Sequence, residues 1–175
     1  MPQINRATED DWPLLRAVRV AALSDLPRAF ASTLDRERSM TEERWRGWLG
    51  EVAFFLATED GEPVGVAGGT PDAAGLELVS VWVDARHRGG PLAVELVGSV
   101  VEHARASGYA AVTAWVGEWN DRAARFYARL GFSPTGRAEP NRVYPDQVEV
   151  ELALPLTDDL GHGRPVGDQD GDRVR

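Results

Sequence analysis

Cysteine is absent from this 175-residue chain, which excludes disulfides and thiolate chemistry, whether nucleophilic or metal-binding. Lysine is absent too, so all nineteen basic side chains are arginines and no Schiff-base lysine exists. Apolar runs are short, and the N-terminal stretch MPQINRATEDDW lacks the charged-then-apolar order of a secretory leader. The expectation is a soluble cytoplasmic protein without a membrane partner. Positive charge is scarce: 28 acidic residues leave a net charge of -9, which argues against nucleic acid and mildly favours a cationic partner.

The length suits one domain with one core. Residues 1–156 carry the apolar patterning. Residues 157–175, TDDLGHGRPVGDQDGDRVR, hold four glycines and five aspartates with little to bury, and read as a disordered tail.

Periodicity and punctuation outline an α/β domain. A strand is predicted over Gln3–Ala7, and Thr8 with Asp11 has the spacing of a capping box before a helix over Glu9–Ala22. The span from Leu23 to Met40 reads as loop broken by a turn at Pro27–Phe30, and Thr41 caps a short helix ending near Gly50. Two apolar strands, Val52–Thr58 and Pro63–Gly68, flank the hairpin dipeptide Asp60-Gly61. After a loop at Thr70–Gly75, a strand covers Leu76–Val83. Pro91 suits the first position of a helix whose apolar side chains Leu92, Leu96, Val97, Val100, Val101 and Ala104 recur at helical spacing until Ser107-Gly108. The strand Ala110–Val116 follows. Asn120 then caps a helix over Asp121–Arg129, Gly131 stops it, and Val148–Leu154 pairs with Gly131–Gly136.

The chemistry concentrates in residues 76–132. A strand enters the turn Arg86-His87-Arg88-Gly89-Gly90, which opens onto a helix. Backbone N–H groups from Arg88 through Leu92, Ala93 and Val94 can converge there on an anion, aided by the positive end of the helix dipole. Arg86 and Arg88 add charge, and the two glycines permit close approach. Taken alone, the turn reads better as a solvated connection between strand and helix. Tyr127, seven residues after Asn120, reads on spacing alone as a core aromatic beside Phe126. Neither GxGxxG with a following acid nor GxxxxGK[ST] is present, which leaves a different nucleotide-binding fold without support.

These residues carry a resemblance. Val83 followed five residues later by Arg88-Gly89, then Asn120, Ala123, Tyr127 and Leu130-Gly131-Phe132, resembles the signature of the GNAT superfamily of acetyl-CoA-dependent N-acetyltransferases. The resemblance implies a mixed, mostly antiparallel sheet splayed between its fourth and fifth strands and flanked by about four helices. It implies acetyl-CoA as co-substrate without a metal, held by the main chain of Val81, Trp82 and Val83, by the turn and helix start, and by Asn120. Tyr127 becomes the acid that protonates the departing thiolate. Glu77, four residues before Val81 and on that residue's strand face, becomes the base, with Glu118 and His87 as weaker alternatives; the plain reading of Glu77 is a solvated carboxylate at a strand start. The acceptor, a small-molecule or peptide amine, falls between Ala29–Trp48 and Arg137–Gln147. Phe30, Trp45, Trp48 and Tyr144 form its wall, and Asp35, Glu37 and Glu43 are available to a cation. The turn departs from the family pattern where Pro91 replaces the central glycine and removes one N–H, which predicts altered phosphate geometry or weaker binding. A noncatalytic module of the same fold, binding acetyl-CoA or a protein partner, is the alternative; the chain is expected as a monomer or homodimer.

Overall fold

Turn chemistry sets the first hairpin. In the computed structural model, which describes residues 1–156, Asp60 and Gly61 take φ of 53° and 81°, and this left-handed pair joins β2 (Ala53–Glu59) to β3 (Glu62–Asp72). The tail expected over 157–175 lies outside the described residues. β1 (Gln3–Arg6) pairs with β2, and β3 runs on through Thr70 to pair with β4 (Gly75–Val83), so the loop predicted at Thr70–Gly75 is mostly strand. β5 (Ala111–Gly117), β6 (Ser133–Pro140) and β7 (Val148–Pro155) complete a seven-stranded sheet in the order β1-β2-β3-β4-β5-β7-β6. All neighbours are antiparallel except β4 and β5.

Five helices flank this mixed sheet: α1 (Trp12–Asp25), α2 (Leu34–Arg38), α3 (Glu42–Glu51), α4 (Leu92–Ala106) and α5 (Asp121–Arg129). The Thr8 N–H donates to the Asp11 carboxylate at 2.7 Å, as the capping spacing predicts. A single 3-10 turn over Glu9–Asp11 separates that cap from α1, which runs three residues past the predicted Ala22. The Thr41 cap is also realised, its hydroxyl accepting from the Arg44 N–H at 3.2 Å. One helix is missing from the sequence outline. α2 holds five residues, too few for an apolar period, and Thr33 caps it by accepting from the Arg36 N–H at 3.2 Å.

Two cores sit on opposite faces of the sheet. Beneath α4, Leu96, Val97 and Val100 meet Leu76, Leu78 and Val112; beneath α1 and α3, Leu15, Val18 and Trp45 meet Phe54, Val66 and Trp82.

One irregularity decides which β4 side chains face which core. The pairing Gly68 with Val79 and Val66 with Trp82 leaves one residue on β3 opposite two on β4, a bulge centred on Ser80 at φ of 60°. Before it, Leu76 and Leu78 enter the α4 core; after it, Val81 and Val83 do. Alternation therefore places Glu77 on the opposite face from Val81, with Val79, which packs into the α1/α3 core. The expectation that Glu77 and Val81 share a face fails because regular alternation does not survive a bulge.

The second consequence concerns the seam between the sheet's halves. β4 and β5 pair only over Leu76–Leu78 against Val112–Ala114, and beyond those residues the strands diverge as expected. One edge of Val79–Val83 and one of Trp115–Gly117 are thereby left facing a gap.

Candidate active site

That gap is the mouth of a cleft of about 1180 Å3, lined by β4, β5, α5 and the connection between α1 and α3. Val81, Trp82 and Val83 all line it, together with Asn120, Ala93 and Tyr127.

Where β4 ends, the chain makes a 3-10 turn over Ala85–His87. The Asp84 carboxylate caps it, accepting from both the Arg86 N–H and the Arg86 Nε at 2.9 Å. Arg86 is exposed and away from the cleft wall, and its charge is matched by Asp84. Arg88 does line the cleft, yet its Nε donates to the Val83 carbonyl at 3.0 Å and its guanidinium pairs with Asp25 at the end of α1. The Trp82 indole N–H donates to the same carboxylate at 2.9 Å and, with Arg88, holds the Asp25 carboxyl below its usual range. Arg88 thus ties the turn to α1.

Gly89 supplies the left-handed φ of 78° that the reversal into α4 requires. Pro91 precedes the helix as its N-cap rather than as its first residue, and the Glu95 N–H makes the first helical bond to the Pro91 carbonyl at 3.0 Å. The N–H groups of Leu92, Ala93 and Val94 lie before that bond and have no intrahelical acceptor. The Leu92 side chain is in the core and that of Val94 is exposed.

Asn120 caps α5, its Oδ1 accepting from the Ala123 N–H at 3.1 Å. This turns Tyr127 inward between Phe126 and Phe132, with ring centroids 5.2 and 5.4 Å away. Tyr127 reaches the cleft wall while only 8% exposed, and burial pushes its hydroxyl pKa well above the ordinary tyrosine value. At neutral pH its hydroxyl is protonated.

Glu77 is half-buried on the cleft wall, and its carboxyl is raised first by loss of water and then by Asp72, against an opposing pull from Arg142. Four other glutamates line the cleft, and each has a partner. Glu37 accepts from Arg19 at 3.0 Å, Glu51 from Arg44 at 3.3 Å, Glu139 from Arg137 at 3.0 Å and Glu149 from the Asn141 amide at 2.7 Å. Glu77 has none among the described residues, which leaves its lone pairs open to a ligand. The alternatives lie elsewhere: neither His87 nor Glu118 lines the cleft, and the His87 ring is bonded to Glu59 at 2.9 Å.

The expected acceptor residues separate into two groups. Phe30 and Trp48 line the cleft. Trp45 is wholly buried in the α1/α3 core against Trp48, because α3 turns its 45/49 face to the sheet. Tyr144 is also off the wall: its hydroxyl donates to the Pro27 carbonyl at 3.3 Å and its ring packs under Arg28, strapping the β6–β7 loop to the end of α1. Asp35 and Glu43 do not reach the cleft, and Glu37 is neutralised.

Sequence reasoning missed Arg19. It is 3% exposed, held by Glu37, sandwiched between Phe30 and Trp48 at 5.1 and 5.2 Å, and bonded at 3.1 Å to Ser80 Oγ of the bulge. An arginine within an amphipathic helix reads as solvated, and its partner lies on the helix that has no period. Among the described residues, no group of three or more His, Asp or Glu can hold a metal ion, and no helix is long and apolar enough to cross a membrane.

Comparison with known proteins bears on this arrangement. Residues 20–132 match the model of the acetyltransferase (GNAT) family. An uncharacterised N-acetyltransferase of Methanocaldococcus jannaschii is 29% identical over 105 residues, 52% of this chain and 46% of that protein. A mycothiol acetyltransferase of Frankia alni is 33% identical over 131 residues, 67% of this chain and 38% of its own. The chain therefore spans less than half the length of either relative. Among solved structures, the Salmonella typhimurium protein yncA with its cofactor acetyl-CoA superposes with a TM-score of 0.72 at 20% identity, covering 90% of this chain and 95% of that one.

Proposed function

The chain belongs to the acetyltransferase (GNAT) family, and on that footing we propose that it transfers the acetyl group of acetyl-CoA to a primary amine by direct attack in a ternary complex. The observation that carries this reading is the cleft itself, which joins an unpaired strand edge, open N–H groups at a helix start, a buried tyrosine and an unpartnered carboxylate.

These features fit the proposed co-substrate. The main chain of Val81, Trp82 and Val83 offers strand-like bonds to an amide-bearing arm. Of the turn and helix start, Ala93 lines the cleft; Gly89, Gly90, Leu92 and Val94 lie outside its lining residues and would offer N–H groups to a diphosphate at its rim, with Asn120 on the other wall. Pro91 contributes no donor, and the chain reverses at Gly89, before it, so three N–H groups follow the proline at the helix start. Acetyl-CoA, when bound, supplies an acetyl group activated as a thioester.

The residues then divide the proton work. An alkylammonium, with a pKa of about 10.4, must lose a proton before it attacks. Glu77 takes that proton, directly or through one water, and its lifted pKa makes it a better base than an exposed glutamate. As the new C–N bond forms and the C–S bond breaks, Tyr127 gives its proton to the sulfur. The burial that raises its pKa keeps the Tyr127 hydroxyl protonated at neutral pH. Phe30 and Trp48 offer the acceptor an apolar wall.

Release of free thiol from acetyl-CoA across a panel of amines tests the proposal, run beside Tyr127→Phe and Glu77→Gln. Turnover with at least one amine, cut in both variants, is expected. Binding of acetyl-CoA without thiol release for any amine would instead support the noncatalytic module.

A further inference from the structure

Two polar side chains lie next to each other in the seam of the sheet, and neither has a partner among the described residues. β4 and β5 pair in parallel over three residues on each strand, and the middle pair is Glu77 with Thr113. Their neighbours Leu76, Leu78, Val112 and Ala114 all enter the α4 core, so alternation turns Glu77 and Thr113 together to the opposite face. Adjacent strands run about 4.8 Å apart, which puts the two side chains within reach of each other, directly or through one water. On the other side of Glu77 the register partner is Thr70 of β3, which lines the cleft. Thr113 lies deeper: it is 2% exposed, and its Oγ1 is left without a hydrogen bond.

A hydroxyl buried without a partner is costly, and such groups are few in folded proteins. Packing does not call for this one, because valine fills the same β-branched volume on a strand at no such cost. Another buried acid on this face, Glu151 of β7, already accepts from Thr135 and Arg137 at 2.7 and 2.9 Å. We propose that Thr113 is a positioning residue for Glu77, its hydroxyl donating to the carboxylate directly or through one water. The assignment rests on the reading of Glu77 as the base, and it adds a residue that does not itself line the cleft. A hydroxyl suits both states of that base: it donates to the carboxylate, and once Glu77 has taken the proton of the ammonium it turns to accept from the carboxylic acid. Donation to the charged form is the stronger bond, so Thr113 favours the ionised carboxyl and counters the loss of water that raises it. The other charges around Glu77 are Asp72 of β3, Glu149 and Glu151 of β7 and Arg142 of the β6–β7 loop. Across the cleft, α1, α2 and α3 present the pairs Arg19–Glu37 and Arg44–Glu51 and the exposed Arg36. A substitution at Thr113 leaves the charge of all of them unchanged.

Titration of the Glu77 carboxyl by carbon-13 NMR tests this in the full chain without need of an acceptor, with Glu77→Gln identifying the signal. In Thr113→Val the pKa of Glu77 should rise by about one pH unit, the worth of one bond to a charged group. Thr113→Ser should return it most of the way. Thr113→Ala, which also lacks the hydroxyl, should match Thr113→Val, and a circular-dichroism melt checks that each variant folds. With an amine that is turned over, the acid limb of kcat/KM should move upward together with the Glu77 titration in both variants that lack the hydroxyl. A changed melting temperature with the Glu77 titration unmoved would overturn the inference, since a packing role does no more than that. Equal titration of Glu77 in Thr113→Ser and Thr113→Val would overturn it as well, and either result leaves the reading of Glu77 as the base standing. If Glu77→Gln keeps both the turnover and the acid limb of the unaltered protein, that reading falls, and Thr113 then has no base to position.

Discussion

A single oxygen separates tyrosine from phenylalanine, and at position 127 that oxygen has no hydrogen-bond partner among the described residues. Tyr127→Phe should therefore keep the Phe126 and Phe132 packing and melt close to the unaltered protein, while kcat falls roughly 10²- to 10⁴-fold, the usual worth of a positioned acid. Thiol release and a thermal melt on the same sample check both halves. Glu77 gives a prediction in pH. Its folded pKa is raised above the ordinary 4.5, so the acid limb of kcat/KM should sit above that value and vanish in Glu77→Gln, whose residual rate is flat there. The stability sign follows from the same shift. A group whose pKa rises on folding favours the folded state below its unfolded value, and the benefit is lost as pH climbs through the folded value. Glu77→Gln should thus melt higher than the unaltered protein at pH 7, with the advantage shrinking as pH drops toward 4, in paired melts at the two values.

Elements carry the Arg19–Glu37 pair, which joins α1 to α2 and both to the bulge of β4. Glu37 is 1% exposed and Arg19 3%, so removing one partner strands a charge in the core. Glu37→Leu should cost about 3–5 kcal/mol, whereas Arg19→Met with Glu37→Leu should recover most of that loss, because two apolar side chains leave no charge behind. Chemical denaturation of the single and double variants measures the difference. This pair also marks where legibility ended. The caps at Thr8, Thr41 and Asn120 and the Asp60-Gly61 hairpin are local and were readable, since each needs only neighbours in sequence. The bulge at Ser80 depends on β3 across the sheet, and α2 is held by a buried ion pair eighteen residues away. Neither leaves a period, and the bulge alone moved Glu77 to the other face.

At the scale of the molecule, the wall proposed for the cofactor and the wall proposed for the acceptor differ in how local they are. The former is built from one continuous stretch, Leu76 to Phe132, while the latter joins α1, α2, α3 and the β6–β7 loop, so Trp45 and Tyr144 were placed by composition rather than by contact. The topology also makes a mechanical claim. Two half-sheets, β1–β4 and β5–β7, touch through only three paired residues on each strand, with the cleft entering beside them. A ligand whose amides bond to the free edge of Val79–Val83 extends that seam and is absent from the unfolded chain. At one hundred times its dissociation constant it should stabilise the protein by about 2.7 kcal/mol. For a chain of this length that raises Tm by roughly 5–11 °C. Amide exchange localises the effect: saturating acetyl-CoA should slow exchange at residues 79–83, 89, 90 and 92–94, with β1 and β2 on the far side of the sheet changing little. A rise in Tm with no slowing at residues 79–83 would place the ligand outside the seam and remove β4 from the binding site.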